Sequence, residues 1–135
     1  MPTEMVDILD VTGTGAQPGG LGAATGIVSF PAVEGYGGRR LLGICAKRYV
    51  RGGATSLSVE LVTVVNGTRI FFRTSAGAKI TQTLGMNDVT GYYTLPLPGN
   101  APFFPTVGDV AVDVTISGTA NGSTSLHLAL LFERI

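Results

Sequence analysis

Two stretches of alternating apolar and polar residues, 109–117 and 125–133, constrain this chain more than any other feature. Val110, Val112, Val114 and Ile116 alternate with Ala111, Asp113, Thr115 and Ser117. Leu126, Leu128, Leu130 and Phe132 alternate with His127, Ala129, Leu131 and Glu133. A period of two sends successive side chains to opposite faces of a strand, whereas a helix needs apolar residues three or four apart. Between the stretches, Ala120-Asn121-Gly122 fits a three-residue hairpin loop with Gly122 in the left-handed position. The expected hairpin sets Ile116 opposite Leu126, Val114 opposite Leu128, Val112 opposite Leu130 and Val110 opposite Phe132. A two-residue turn at Asn121-Gly122 would set apolar against polar positions and waste the pattern.

A second hairpin is expected around Asn66-Gly67, the preferred pair for a two-residue type I′ turn because both positions need positive φ. This turn places Val65 opposite Thr68, Thr63 opposite Ile70, Leu61 opposite Phe72 and Val59 opposite Thr74. On the other face Val62 meets Phe71, and Glu60 meets Arg73 as an opposite-charge pair. Further strands are expected at 27–33, where Pro31 argues for an edge or an early end, and at 41–50, 78–84 and 92–97. A proline-rich loop follows, carrying Phe103 and Phe104. No helical period extends over a usable length.

Glycine supplies 20 and proline 7 of the 135 residues, and only 13% are charged against 44% hydrophobic, a balance too apolar for a disordered chain. The length suits one domain. About seven or eight short strands with Gly-rich turns make the chain all-β. The expected fold is an antiparallel β-sandwich, with a jelly roll as one form of it, or else a barrel. Residues 12–26 hold nine glycines or alanines among few packing side chains and read as a flexible linker. The strand-like piece before it, containing Val6, Ile8 and Leu9, is then either an arm that pairs with a neighbour or the domain's own first strand. The division expected is an arm and linker over 1–25 and a sandwich domain over 26–135.

Charge is neutral overall but segregated. Residues 39–79 carry eight bases against Glu60, a net +7, including Arg39, Arg40, Arg48 and Arg51. Residues 1–38 carry four acids and no base. Such segregation suits docking between copies or onto a charged neighbour. The whole-domain basicity usual for nucleic-acid binding is missing, so nucleic acid is not an expected partner. No apolar run approaches the roughly 18 residues of a membrane span, and no membrane partner is expected. The first residues, Met1-Pro2-Thr3-Glu4, lack the pattern of a secretion signal, which points to synthesis in a reducing cytosol.

No catalytic constellation is legible. The lone Cys45 lies in an apolar run and excludes an internal disulfide. The lone His127 sits on the polar face of its strand. Asp109 and Asp113 would share a strand face about 13 Å apart, wide for a glycosidase pair. The Gly13-Thr14-Gly15 stretch lacks the third glycine of a dinucleotide loop and the Lys-Ser or Lys-Thr of a phosphate loop. Asn66-Gly67-Thr68 and Asn121-Gly122-Ser123 match glycosylation acceptors, but turn chemistry explains both. The expectation is a non-enzyme with no cofactor and no metal.

Residues 110–123, Val-Ala-Val-Asp-Val-Thr-Ile-Ser-Gly-Thr-Ala-Asn-Gly-Ser, followed by Leu126 to Ile135, resemble the closing hairpin of small phage virion proteins. Those often end with a valine-rich strand, a Gly-Thr-Ala turn and a last apolar strand. The resemblance implies a capsid decoration or cement protein on the virion surface, made in the host cytoplasm. It implies as partners the major capsid protein and copies of this chain, commonly as a trimer. Candidate contact residues are then Val6, Ile8 and Leu9 of the arm; Arg39, Arg40, Arg48 and Arg51; and Val62, Phe71, Phe103 and Phe104. Aromatic and arginine anchors are typical of protein interfaces. The alternative is a carbohydrate- or ligand-binding sandwich using Tyr92, Tyr93, Phe103 and Phe104 as a stacking platform. A small hydrolase using Cys45 or the aspartates is a third reading.

Overall fold

The computed structural model describes residues 3–33, 40–71, 81–84, 89–96 and 109–133. Every regular element among them is a strand: β1 (Thr3–Thr12), β2 (Gly26–Ser29), β3 (Arg40–Val50), β4 (Ala54–Val65), β5 (Thr68–Phe71), β6 (Thr81–Leu84), β7 (Val89–Pro96), β8 (Asp109–Gly118) and β9 (Ser125–Glu133). Eight of these are the strands expected from residue 26 onward, and the ninth is β1. They form two antiparallel sheets. One has the order β1-β9-β3-β7, and the other runs β2-β8-β4-β5 with β6 also on β4. Successive strands alternate between the sheets from β1 to β4 and from β6 to β9, while β4, β5 and β6 share the second sheet, and the first and last strands lie side by side. That order is a jelly roll, a sandwich of two Greek keys.

The core lies between the inward stripes of the two sheets. Val110, Val112, Val114 and Ile116 of β8 and Leu126, Leu128, Leu130 and Phe132 of β9 are all buried in it. The faces expected from the alternation are therefore correct, but the pairing is not. β8 pairs with β2 and β4, while β9 pairs with β1 and β3. The two strands face each other across the sandwich instead of forming a hairpin. Alternation tells a strand which side is buried and carries no label for its hydrogen-bonding neighbour. The connection over residues 119–124 is long enough to cross the roughly 10 Å between packed sheets. Its polar groups are bonded: Thr124 Oγ1 donates to the Arg51 carbonyl at 2.9 Å and accepts from Asn121 N at 3.0 Å.

The Asn66-Gly67 hairpin forms with the expected register from Val65↔Thr68 to Val62↔Phe71. Both turn residues have positive φ, 51° and 80°. Beyond Phe71 the edge of β4 changes partner: Glu60 lies opposite Thr81 and Val59 opposite Gln82 on β6. The expected Glu60–Arg73, Leu61–Phe72 and Val59–Thr74 pairs involve residues outside the described ones, and β6 occupies the Glu60 and Val59 positions. Two short strands share one long edge.

β1 is an integral edge strand, paired with β9 from Thr3↔Glu133 to Thr12↔Ser125. The arm expected over residues 1–25 is thus corrected. Its sequence explains the geometry. Val6, Leu9 and Val11 face the core and Asp7 and Asp10 face outward, which strict alternation forbids, and the bulge at Ile8 absorbs the extra residue. The Gly-rich stretch is a folded loop and not a flexible linker. Leu21 N donates to the Gly13 carbonyl at 2.9 Å, Gly22 N to Gly15 at 2.8 Å, and Gly13 N to Thr124 at 2.6 Å. Gly20 passes so close to the Gly15 carbonyl that a Cβ there would collide with it. Leu21 is fully buried and anchors the loop in the core.

Leu21→Ala should therefore lower stability by about 2–5 kcal/mol, the usual cost of emptying a buried leucine site. Denaturant unfolding measures it. A change within about 0.5 kcal/mol, as for an exposed residue, would mean the loop is only a tether.

Candidate interaction surface

Three strands bring charge together on the outer face of the first sheet. β1 contributes Asp7 and Asp10, β9 contributes Ser125 and His127, and β3 contributes Lys47 and Arg48. The register sets Asp10 opposite His127, and His127 opposite Arg48. Lys47 Nζ donates to Asp7 Oδ1 at 2.7 Å. Arg48 donates through Nη2 to Asp10 Oδ1 and through Nε to Ser125 Oγ. His127 Nε2 lies 3.3 Å from Asp7 Oδ1, and its Nδ1 lies 3.7 Å from Asp10 Oδ2. The segregated charge of the sequence is thus partly neutralised within one sheet, by an acidic edge strand and a basic strand flanking β9. Arg48, expected as a contact residue, is engaged within its own sheet by Asp10 and Ser125 and keeps part of its side chain exposed.

The Asp7 carboxyl is held below its ordinary value of 3.8, first by the hydrogen bond from Lys47, then by the charges of Lys47 and His127, with partial desolvation opposing them. These pairs are solvent-exposed on their acidic side, and such pairs contribute at most about 1 kcal/mol each.

The outer face of the second sheet is built around a better enclosed pair. Arg69 on β5 reaches over β4 to β8, where Nη2 donates to Asp113 Oδ1 at 2.5 Å and to the Val112 carbonyl at 3.1 Å. Its Nη1 donates to the Phe30 carbonyl at 3.1 Å. Asp113 is buried, and Val62 and Ala111, which lie on the path between the two residues, are fully buried as well. Val62 is therefore not the exposed contact expected from its outward position. Phe71, opposite Val62, is half-buried. Alternation along β5 and β8 turns Arg69 and Asp113 outward but does not join them. The link depends on the order β5-β4-β8, to which no local pattern points.

The remaining expected contact residues divide clearly. Val6, Ile8 and Leu9 are buried along β1. Arg51 is half-buried at the start of the turn before β4, and its carbonyl accepts from Ala54 N and Thr124 Oγ1. Arg40 opens β3, but its side chain lies outside the description, as do those of Tyr92 and Tyr93 on β7. Arg39, Phe103 and Phe104 lie outside the described residues altogether. The large apolar side chains that the described surface does expose are Ile27 on β2 (68%) and Ile70 on β5 (49%), at opposite edges of the second sheet.

A cleft of about 330 Å³ runs along the open side of the sandwich, beside β1 and the segment that follows β2. Ile8, Val11, Phe30 and Pro31 make its apolar walls, and Asp10 and Gln17 are its polar groups. Both polar groups are already bonded, Asp10 to Arg48 and Gln17 Nε2 to the Ser29 carbonyl at 3.0 Å. Cys45 and His127 are diagonal neighbours across β3 and β9, yet Cys45 is fully buried and the His127 nitrogens face β1. Among the described residues no group of three or more His, Cys, Asp or Glu could hold a metal ion. No protein-family model, curated protein or solved structure matches this chain.

Removing one partner of an enclosed ion pair strands the other, so Arg69→Ala should cost about 3–5 kcal/mol in denaturant unfolding, against at most about 1 kcal/mol for Lys47→Ala. Equal small losses would show that Arg69 is an ordinary surface residue. For Asp7 the folded pKa lies below the unfolded one. Its contribution is therefore complete above pH 3.8 and disappears as pH falls through the lower folded value. Carboxyl NMR titration should find Asp7 below 3.8 in the native protein and nearer to it in Lys47→Met. An unchanged titration would remove Lys47 as the cause.

Proposed function

We propose that this chain is a structural virion protein that decorates or cements a phage capsid, binding neighbouring capsid subunits as a homo-oligomer. The observation that carries the reading is the jelly-roll strand order, an architecture shared by many capsid proteins. Fold alone does not assign function, so the state of the side chains matters equally. Three ion pairs on the two outer faces, Lys47–Asp7, Arg48–Asp10 and Arg69–Asp113, tie strands to one another. This suits a part whose work is done by its surface. The C-terminal resemblance to small phage virion proteins agrees with that role.

In this reading the chain is made in the host cytoplasm and resides on the capsid surface. β1 pairs with β9 of the same chain, which supports association through preformed surfaces rather than by exchange of an arm. Jelly rolls also occur in lectins. A sugar site, however, needs stacking aromatics beside free polar groups, and in the cleft Phe30 is buried while Asp10 and Gln17 are engaged. The structural reading is the better supported of the two.

Light scattering on the eluting protein should give a multiple of the 13.9 kDa chain mass, with three copies expected. The purified protein should also co-sediment saturably with capsids of the phage whose genome encodes it. A strict monomer that stays in the supernatant with those capsids would overturn the proposal.

A further inference from the structure

The chain contains two Asn-Gly pairs, and the fold treats them differently. Asn66-Gly67 forms the tip of the β4–β5 hairpin, with both residues exposed. Among the described residues nothing hydrogen-bonds the Asn66 carboxamide, and β5 is a four-residue strand at the edge of its sheet. Asn121-Gly122 lies in the connection between the sheets. There the Asn121 Oδ1 accepts from Ser123 N at 3.0 Å and from Ser123 Oγ at 2.7 Å. Asn121 N donates to Thr124 Oγ1, and Thr124 N returns a bond to the Asn121 carbonyl at 3.1 Å. Gly52 and Gly53 pack so closely on this side chain that a Cβ on either would press against the carboxamide.

We propose that Asn66 is a site of spontaneous deamidation and that the fold protects Asn121 from the same reaction. The Gly67 backbone nitrogen attacks Asn66 Cγ, the new N–Cγ bond forms, and the Cγ–Nδ2 bond breaks. Ammonia leaves with the proton of the Gly67 amide. Water then opens the cyclic imide at either carbonyl, giving aspartate or isoaspartate. Glycine offers the least hindered nitrogen for this attack. The carboxamide carbon must swing onto that nitrogen, so the reaction proceeds from locally opened conformations. At Asn66 only a short edge strand and an exposed turn must yield. At Asn121 four hydrogen bonds and the contact with Gly52 and Gly53 must be broken first. Isoaspartate adds a carbon to the backbone and is incompatible with the type I′ geometry, so the modification loosens the hairpin tip as well as adding a negative charge.

The test is peptide mapping with isoaspartate detection on the folded protein after incubation at mildly alkaline pH. Conversion at Asn66 should exceed that at Asn121 by about tenfold or more, the ratio given by a difference in opening free energy of about 1.4 kcal/mol. In urea-unfolded protein the two sites should convert at similar rates. Gly67→Ala should slow conversion at Asn66, and Ser123→Ala should speed it at Asn121 in the folded protein. Equal folded-state rates, or an Asn66 that reacts only after unfolding, would overturn the proposal. So would a Ser123→Ala variant whose Asn121 reacts no faster.

Discussion

The packing of two apolar stripes against each other, one from β8 and one from β9, is the contact on which the other elements depend. Each strand is central in its sheet, with an antiparallel neighbour on both sides. Every inward side chain of the two is buried, from Val110 to Ile116 and from Leu126 to Phe132. Fully burying such side chains is worth roughly 1.5–3 kcal/mol each before the entropy of ordering the chain is set against it. Because β8 and β9 lie in opposite sheets, closing the connection between them also closes the sandwich. Tyr49 adds a polar tie across the same core, donating its hydroxyl proton from β3 to the Leu84 carbonyl of β6 at 3.3 Å.

Around this core the charged residues act mainly as fasteners. Lys47 and Arg48 hold the edge strand β1 across the intervening β9, and Arg69 clasps β5 and the end of β2 onto β8. The bulge at Ile8 and the outward carboxylates of β1 also have a protective effect, since a twisted, charged edge is a poor template for a foreign strand. Such edges suit the proposed virion role, in which copies crowd together on one particle and associate through chosen surfaces rather than by indiscriminate strand addition.

Much of this was legible in the residues, and the failures share one cause. Alternation identified the buried faces of β8 and β9, and Asn66-Gly67 identified both a turn and its register as far as Phe71. Neither kind of signal reaches beyond its own segment. Whether 119–124 turns back within a sheet or crosses to the other one depends on which strands already flank β8 and β9. The partner of Glu60 likewise depends on β6 arriving at an edge that β5 has vacated. Glycine density in 13–26 suggested flexibility because its backbone hydrogen bonds have no sequence signature, yet buried Leu21 was a clue that the loop had an inside. The charge segregation was real, but its resolution between β1 and β3 required knowing that β9 lies between them. The same limit applies to the candidate surface, where Val62 looks exposed until Arg69 is placed across it.

Solution NMR of the backbone tests the central claim most directly, because strand neighbours give short-range nuclear Overhauser contacts and strands packed face to face do not. The account predicts such contacts from Ala129 to both Asp7 and Cys45, and from Val114 to both Val28 and Val59. Backbone contacts joining Val114 to Leu128 or Val112 to Leu130 would instead make β8 and β9 a hairpin, and would contradict the jelly roll together with the surfaces derived from it.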